Sequence, residues 1–327
     1  MRALVVLAVS SSLVGCLDGG AEKPARPPEP SEPSTARALP SRRAEPKPTT
    51  PEVAKVDLSF GQGFELRRPI TDGRLTLIPI ISTQPTPDEK FVTLHDGMAK
   101  GVISVRETGG TDLDWQIDTV RVTNRSRETL VVLEGELIED AMQDRVTAEA
   151  VTIPAGKTQT IQVRCVEEDR DHGGTKFNPG NAIAELGLRR TVVTASQDAV
   201  WSKVKQINSR DKIKTSTNTY RIAAHAQTTG DGIERRDLLV KQLALLEERP
   251  NIVGLAVAVD GKVVAIDRLA TPELYRQLEA TLIASYLPAT SGAPAEGKRV
   301  APDDVRTLSA QITGSRTTAS HSIMRPL

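Results

Sequence analysis

Val253-Gly-Leu-Ala-Val-Ala-Val-Asp-Gly-Lys-Val-Val-Ala-Ile-Asp267, with Thr271-Pro-Glu273 just beyond it, decides how this chain is read. Two short apolar runs, Leu255 to Val259 and Lys262 to Ile266, flank Asp260-Gly261, a dipeptide suited to the positive φ angles of a two-residue hairpin. Thr271, Pro272 and Glu273 then stand as N-cap, first and second residues of a helix. Leu274, Leu278 and Leu282 recur at intervals of four along one face of it.

Upstream of the hairpin the period is helical. Ser196 is placed to cap a helix in which Val200, Val204 and Ile207 share a face with Trp201 beside them, and a second helix is expected over 232–248, stopped by Pro250. Further back, residues 75–166 carry β-branched runs: Leu75-Thr-Leu-Ile78, Val102-Ile-Ser-Val105, 117–122, Leu130-Val-Val-Leu133, 146–153 and 161–166. Asn124-Arg-Ser-Arg127 and Pro154-Ala-Gly156 separate them with connections of hairpin length, which predicts antiparallel pairing. Thr93-Leu-His-Asp-Gly-Met-Ala-Lys100 reads as a short helix between two strands. The fold class is therefore α+β: an antiparallel β-rich N-terminal half, a sandwich or curled sheet, followed by helices and a β-hairpin. Residues 56–290 form the expected single domain. Residues 291–327, rich in Ala, Gly, Ser, Pro and Thr, read as a mostly irregular tail with a short helix over 302–312.

Composition excludes several functions. With 42 basic and 42 acidic residues and 3% aromatics, the chain has neither the electrostatic footprint nor the stacking platforms of a nucleic-acid binder. The four histidines, His95, His172, His225 and His321, lack the i, i+4 pairing of helical zinc sites, so no metal is expected. No G-x-S-x-G elbow, P-loop or dinucleotide fingerprint occurs, and no cofactor is predicted.

The N-terminus reads as an export address. Arg2 precedes the apolar run Ala3-Leu-Val-Val-Leu-Ala-Val9, too short to span a bilayer, and Leu13-Val-Gly-Cys16 fits a lipobox with cleavage before Cys16. Lipid on that cysteine would anchor the chain to a membrane, since each buried acyl methylene contributes about 0.8 kcal/mol. Leu17, in place of an acidic retention residue, favours the outer membrane over the inner. Residues 1–15 are thus the expected signal peptide and 16–55 a lipid-attached tether, because nine of the chain's 21 prolines fall between Glu22 and Pro51 with little apolar content. With Cys16 lipidated, Cys165 has no disulfide partner.

The chemistry gathers in Ile161-Gln-Val-Arg-Cys-Val-Glu-Glu-Asp-Arg-Asp-His172. Strand alternation puts Ile161, Val163, Cys165 and Glu167 on one face, so Cys165 follows two core residues and its plainer reading is a buried inert thiol. Activation would need a neighbouring base or cation, with Arg170 or His172 at hand. Glu167 stands at the strand end, where it either faces a cavity mouth or pairs with Arg170 or Arg145. A second cluster, Glu134-Gly-Glu136 with Glu139, Asp140, Gln143 and Arg145, lies on an expected hairpin. The candidate catalytic residues are Glu167 and Cys165; the candidate binding residues are Glu136, Gln143, Arg145 and Arg170.

Leu133-Glu-Gly-Glu-Leu137, Ala141-Met-Gln-Asp-Arg145, Cys165-Val-Glu167 with Arg170, Gln197-Asp-Ala-Val-Trp201 and the 253–267 hairpin with Leu282 to Tyr286 follow one another in an order that resembles the ARG and rhodanese-phosphatase-superfamily-associated domain family. The likeness covers residues 75–290. Two positions depart from the family pattern: Asp140 stands where it has a glycine, and Asp171 where it has an aromatic. The family's association with ADP-ribosylglycohydrolase and phosphatase-type domains implies a link to nucleotide-sugar metabolites.

Two functions are compatible with this reading. One is an envelope binding or scaffolding module that takes a small anionic ligand or an envelope protein. The other is a hydrolase in which Glu167 is the base or orienting acid, Arg170 and Arg145 hold an anionic group, and Cys165 is an accessory.

Overall fold

The computed structural model describes residues 63–85, 88–108, 117–170, 172–229, 231–291, 300 and 320–324. The signal segment, Cys16, the tether and the short helix expected over 302–312 lie outside the described residues.

In chain order the first elements are β1 (Phe64–Leu66), β2 (Ile70–Asp72), β3 (Leu75–Ser82), β4 (Phe91–Thr93), α1 (Leu94–Ala99) and β5 (Ile103–Glu107). Seven strands follow: β6 (Thr119–Asn124), β7 (Thr129–Val132), β8 (Glu136–Asp140), β9 (Arg145–Thr147), β10 (Val151–Ile153), β11 (Thr158–Cys165) and β12 (Phe177–Ile183). Helices α2 (Leu186–Thr194), α3 (Gln197–Arg210), α4 (Arg221–Ala226) and α5 (Asp231–Ala244) come next. The described chain closes with β13 (Ile252–Val259), β14 (Lys262–Leu269), α6 (Pro272–Tyr286) and β15 (Ser320–Met324).

The expected hairpin is β13–β14, with Asp260 at φ 51 and Gly261 at φ 80. All eight residues of β13 are buried, because the sheet is covered on both faces. On one side Leu255 and Val257 meet Leu274, Leu278 and Leu282 of α6 and Leu239 and Leu243 of α5; on the other Ala256 and Ile266 meet Phe64 and Leu66. Burying each α6 leucine is worth about 1.5–3 kcal/mol. Gly254 permits the close strand contact, since a Cβ there would lie 2.1 Å from the Asp267 carbonyl oxygen. Thr271 caps α6 by accepting the Leu274 N–H at 3.1 Å. The sheet runs β1-β3-β13-β14-β15, with β2 also on β3. Thus Leu75-Thr-Leu-Ile78, expected to belong with the β-rich half, lies in β3 and pairs instead with the hairpin. Ser320–Met324, within the stretch read as mostly irregular, is an edge strand on β14.

The second sheet, β12-β8-β9-β11-β6-β5, is antiparallel and curls until its edges meet: Glu107 N–H donates to Thr175 O at 3.0 Å and Arg106 bridges Lys176. Inward-facing Val105, Val122, Ile138, Ile161, Val163 and Phe177 fill this half-barrel, and Leu94 of α1 joins them. On its outer face Leu137 and Val146 pack with Val192, Val200, Val204 and Tyr220 of the helical layer, where Ser196 caps α3.

Two expected hairpins are corners instead. Thr123 pairs with Thr158 and Leu130 with Ile153, so β6–β7 and β10–β11 form one long ribbon that bends out of the curled sheet into a small sheet, β10-β7-β4. Strands change sheets at such bends. Asn124 holds the corner by donating to Glu128 O and Ile153 O, both at 2.9 Å. The run read as one strand over 146–153 is accordingly two, in different sheets. The helix expected over 232–248 ends at Ala244. Among the described residues no helix is long and apolar enough to cross a membrane.

Candidate functional site

Alternation along β11 does place Ile161, Val163 and Cys165 inside the half-barrel, but Glu167, expected on the same face, lies beyond the strand end at Cys165 and turns outward to Arg170. Antiparallel register sets Arg145 directly opposite Cys165. Arg145 Nη1 donates to Cys165 Sγ at 2.7 Å and to Gln143 Oε1 at 3.0 Å, and Nη2 reaches Glu107 Oε1 at 3.4 Å. Glu107 extends the inward series Ile103, Val105, so the barrel end holds a guanidinium, a carboxylate and a thiol, with Arg145 only 1% exposed. Burial pushes the Cys165 thiol up, against the pull of Arg145, and burial raises Glu107 as well. Within the described structure, Arg145 Nε and Glu107 Oε2 are buried with no hydrogen-bond partner.

A second layer of the same network wraps the β8–β9 hairpin from outside. Asp140 and Ala141 both sit at positive φ, 70 and 51, a costly conformation for residues with a Cβ. Arg170 holds that turn, donating from Nη1 to Ala141 O at 3.0 Å and from Nη2 to Asp140 O at 3.4 Å, while its Nε binds Glu167 Oε2 at 2.8 Å. Glu167 also accepts the Asp144 N–H at 3.1 Å and the Thr217 hydroxyl at 2.6 Å. Burial raises the Glu167 carboxyl, but the bonds from Arg170, Thr217 and Asp144 outweigh it and hold the group below its usual range. Asp144 accepts from Arg221 Nε at 3.0 Å and the Thr219 hydroxyl at 2.8 Å, and His225 Nε2 lies 2.6 Å from Glu139 Oε1.

Glu136 lies elsewhere. It opens β8 two residues before Ile138, at the opposite end of the barrel interior, where His95 of α1 faces it. Glu134, its neighbour in sequence, instead joins a lock between the two sheets. Arg189 of α2, 1% exposed, donates from Nη2 to Glu134 Oε1 at 3.2 Å and from Nη1 to Asp267 Oδ2 at 3.0 Å, with Tyr286 Oη also on Asp267 at 2.6 Å. Gly135, at φ 94, gives Arg189 room: a Cβ there would lie 2.8 Å from its Cγ.

Of the candidates named from the sequence, the fold sets Arg145 between Cys165 and Gln143 at the barrel end and Glu167 with Arg170 on the other side of the same hairpin. Glu136 stands apart. Glu107, Asp144, Arg189 and Arg221 join the polar clusters without being among the candidates. The alternation Ile103, Val105, Glu107 carried a signal for the first; nothing local distinguished the others.

An open cleft of about 520 Å³ lies away from this network, between β4, α1 and the start of α6. Asp88, Glu89, Asp96, Glu128 and Glu273 line it together with Lys90 and Lys100. Among the described residues no group of three or more His, Cys, Asp or Glu side chains is arranged to hold a metal ion.

The sequence pattern of the ARG and Rhodanese-Phosphatase-superfamily-associated Protein domain matches residues 63–324. The chain belongs to this family. The match spans all three sheets and every residue of the network. Asp140 sits at φ 70, a region that aspartate is among the few side-chain-bearing residues to tolerate. Asn178 Nδ2 at 2.6 Å and Arg221 Nη2 at 2.9 Å hold its carboxylate. Asp171 lies outside the described residues. No curated protein and no solved structure matches the chain.

Proposed function

We propose that this protein is an exported lipoprotein of the cell envelope, cut before Cys16, tethered by residues 16–55 to the outer membrane, whose folded part is a binding module. The observation that carries binding over catalysis is the state of the two groups that hydrolysis would use. A general base works best with a pKa near the operating pH, yet three hydrogen bonds hold Glu167 below the ordinary carboxylate range. A nucleophilic cysteine must ionise, yet burial raises the Cys165 thiol. Arg145 and Arg170 are committed to Glu107, Glu167 and backbone carbonyls, so the network braces the β8–β9 turn.

The ligand site in this reading is the cleft between α1 and α6, whose volume of about 520 Å³ is in the range of small-molecule sites. Its five carboxylates outnumber its two lysines, which suits a ligand or partner segment bearing amino groups. Thermal unfolding of the chain with spermidine, a lysine-rich peptide and ADP-ribose tests this. A ligand at 100 times its Kd adds about 2.7 kcal/mol. The expected result is a shift with the cations that Asp96→Asn with Glu273→Gln removes. A shift with ADP-ribose alone, lost in Arg170→Ala, would move the site to the network. Labelled palmitate that still enters Cys16→Ser would reject the anchor.

A further inference from the structure

We infer that Glu136 and His95 hold a single proton between them at the floor of the half-barrel, and that this proton fastens α1 to β8. His95 Nε2 lies 3.0 Å from the Leu137 carbonyl oxygen, which has no hydrogen to give, so Nε2 carries the hydrogen. In the neutral ring Nδ1 is then a bare lone pair. It faces Glu136 Oε1 at 3.9 Å. The carboxyl is fully buried, its Oε2 accepts the Leu133 N–H at 2.8 Å, and among the described residues Oε1 has no partner.

Two bare acceptors facing each other in a dry site are unfavourable on both sides. One proton on Oε1, directed at Nδ1, turns them into donor and acceptor, and an approach of about 1 Å completes the bond. The alternative of an ionised pair would place two charges in the barrel interior. Burial opposes that, pushing Glu136 up to about 8 and His95 down to about 4. The charged neighbours do not change the outcome. Glu134 favours the protonated carboxyl, Arg189 of α2 favours the ionised one, and Asp96 favours a charged ring. Arg145 of β9 is opposite Ile138 and is taken up by Cys165 and Glu107; Ile183 of β12, opposite Glu136, is apolar.

The consequence reaches the surface through one short helix. His95 faces the barrel, while Asp96 and Lys100 beside it line the cleft. Ionising Glu136 would set a carboxylate against a lone pair and loosen a wall of that cleft. The proton assignment is independent of what the cleft binds; only its coupling to a ligand rests on the proposed function.

The test is nuclear magnetic resonance of the full chain with labelled histidine, joined to infrared difference spectra of wild type and Glu136→Gln. The expected result is a His95 ring in the Nε2–H tautomer that does not titrate between pH 5 and 8. A carboxylic-acid stretch at pH 7, absent in Glu136→Gln, should vanish from wild type by pH 9 as α1 amides exchange faster than intrinsic base catalysis predicts. A His95 that titrates near 6.5, or spectra without that acid band, overturns the inference. Should Glu136→Gln fail to fold, the wild-type ring resonances decide alone. A negative ligand screen would leave these spectra untouched and count only against the cleft.

Discussion

Replacing Glu136 by Gln should stabilise the protein by an amount that grows with pH. The folded state holds the Glu136 proton up to about pH 8, whereas the unfolded chain releases it near 4.5. Between those values the native state binds more protons, so stability falls as pH rises. At about 1.4 kcal/mol per pH unit the whole window is worth roughly 5 kcal/mol. His95 works the other way: neutral in the fold down to about 4 but titrating near 6.5 when unfolded, it makes stability rise with pH across that interval. From 4.5 to 6.5 the two slopes cancel, and only the loss due to Glu136 remains from 6.5 to 8, about 2 kcal/mol. Gln is isosteric, keeps an acceptor for the Leu133 N–H and never ionises. Urea unfolding of both proteins at half-unit steps from pH 4.5 to 8.5 measures the difference, in which contributions common to both, such as the raised Glu107 and Glu139, drop out. The difference should climb by several kcal/mol across the series. A pH-independent difference would refute the reasoning, because it would mean that Glu136 ionises alike in both states.

Arg189→Met should cost about 3–5 kcal/mol in the same assay, since it leaves Glu134 and Asp267 buried without their cation; a loss below 1 kcal/mol would mean that water reaches the junction. Asp140→Gly should be nearer neutral than Asp140→Ala in thermal unfolding, because glycine relieves the positive φ while both lose the bonds to Asn178 and Arg221. Equal losses would show that the φ carries no strain. Cys165, fully buried, should react with a thiol reagent only at the rate of unfolding, and fast labelling of native protein would show that the barrel end opens.

The sequence by itself determined what depends on residues a few positions apart. Asp260-Gly261 made the β13–β14 turn, Thr271 and Ser196 capped α6 and α3, and the alternation of Ile161, Val163 and Cys165 fixed which way the thiol faces. These are local matters of φ, of a hydroxyl meeting an N–H, and of a period of two. The polar network was legible to the same depth, since Arg170 stands close enough in sequence to pair with Glu167, whereas nothing in the sequence marked the cleft between α1 and α6.

Tertiary structure alone decided the partners. Leu75 to Ser82 satisfies strand propensity against any apolar strand, and its place beside Ile252 to Val259 follows only when the whole chain is packed. Asn124 and Pro154 mark turns, but turn chemistry does not say whether the chain folds back or bends into another sheet. The hairpin expected around Glu134 to Arg145 is β8–β9, whereas β12 carries no strand signal because Pro179 and Gly180 interrupt it. Arg189 is one of two adjacent arginines on a short helix until Asp267, in the other sheet, comes within 2.5 Å. Hydrophobic burial is non-directional, so many pairings satisfy a local pattern equally well. The choice among them rests on buried polar groups finding partners far away in sequence.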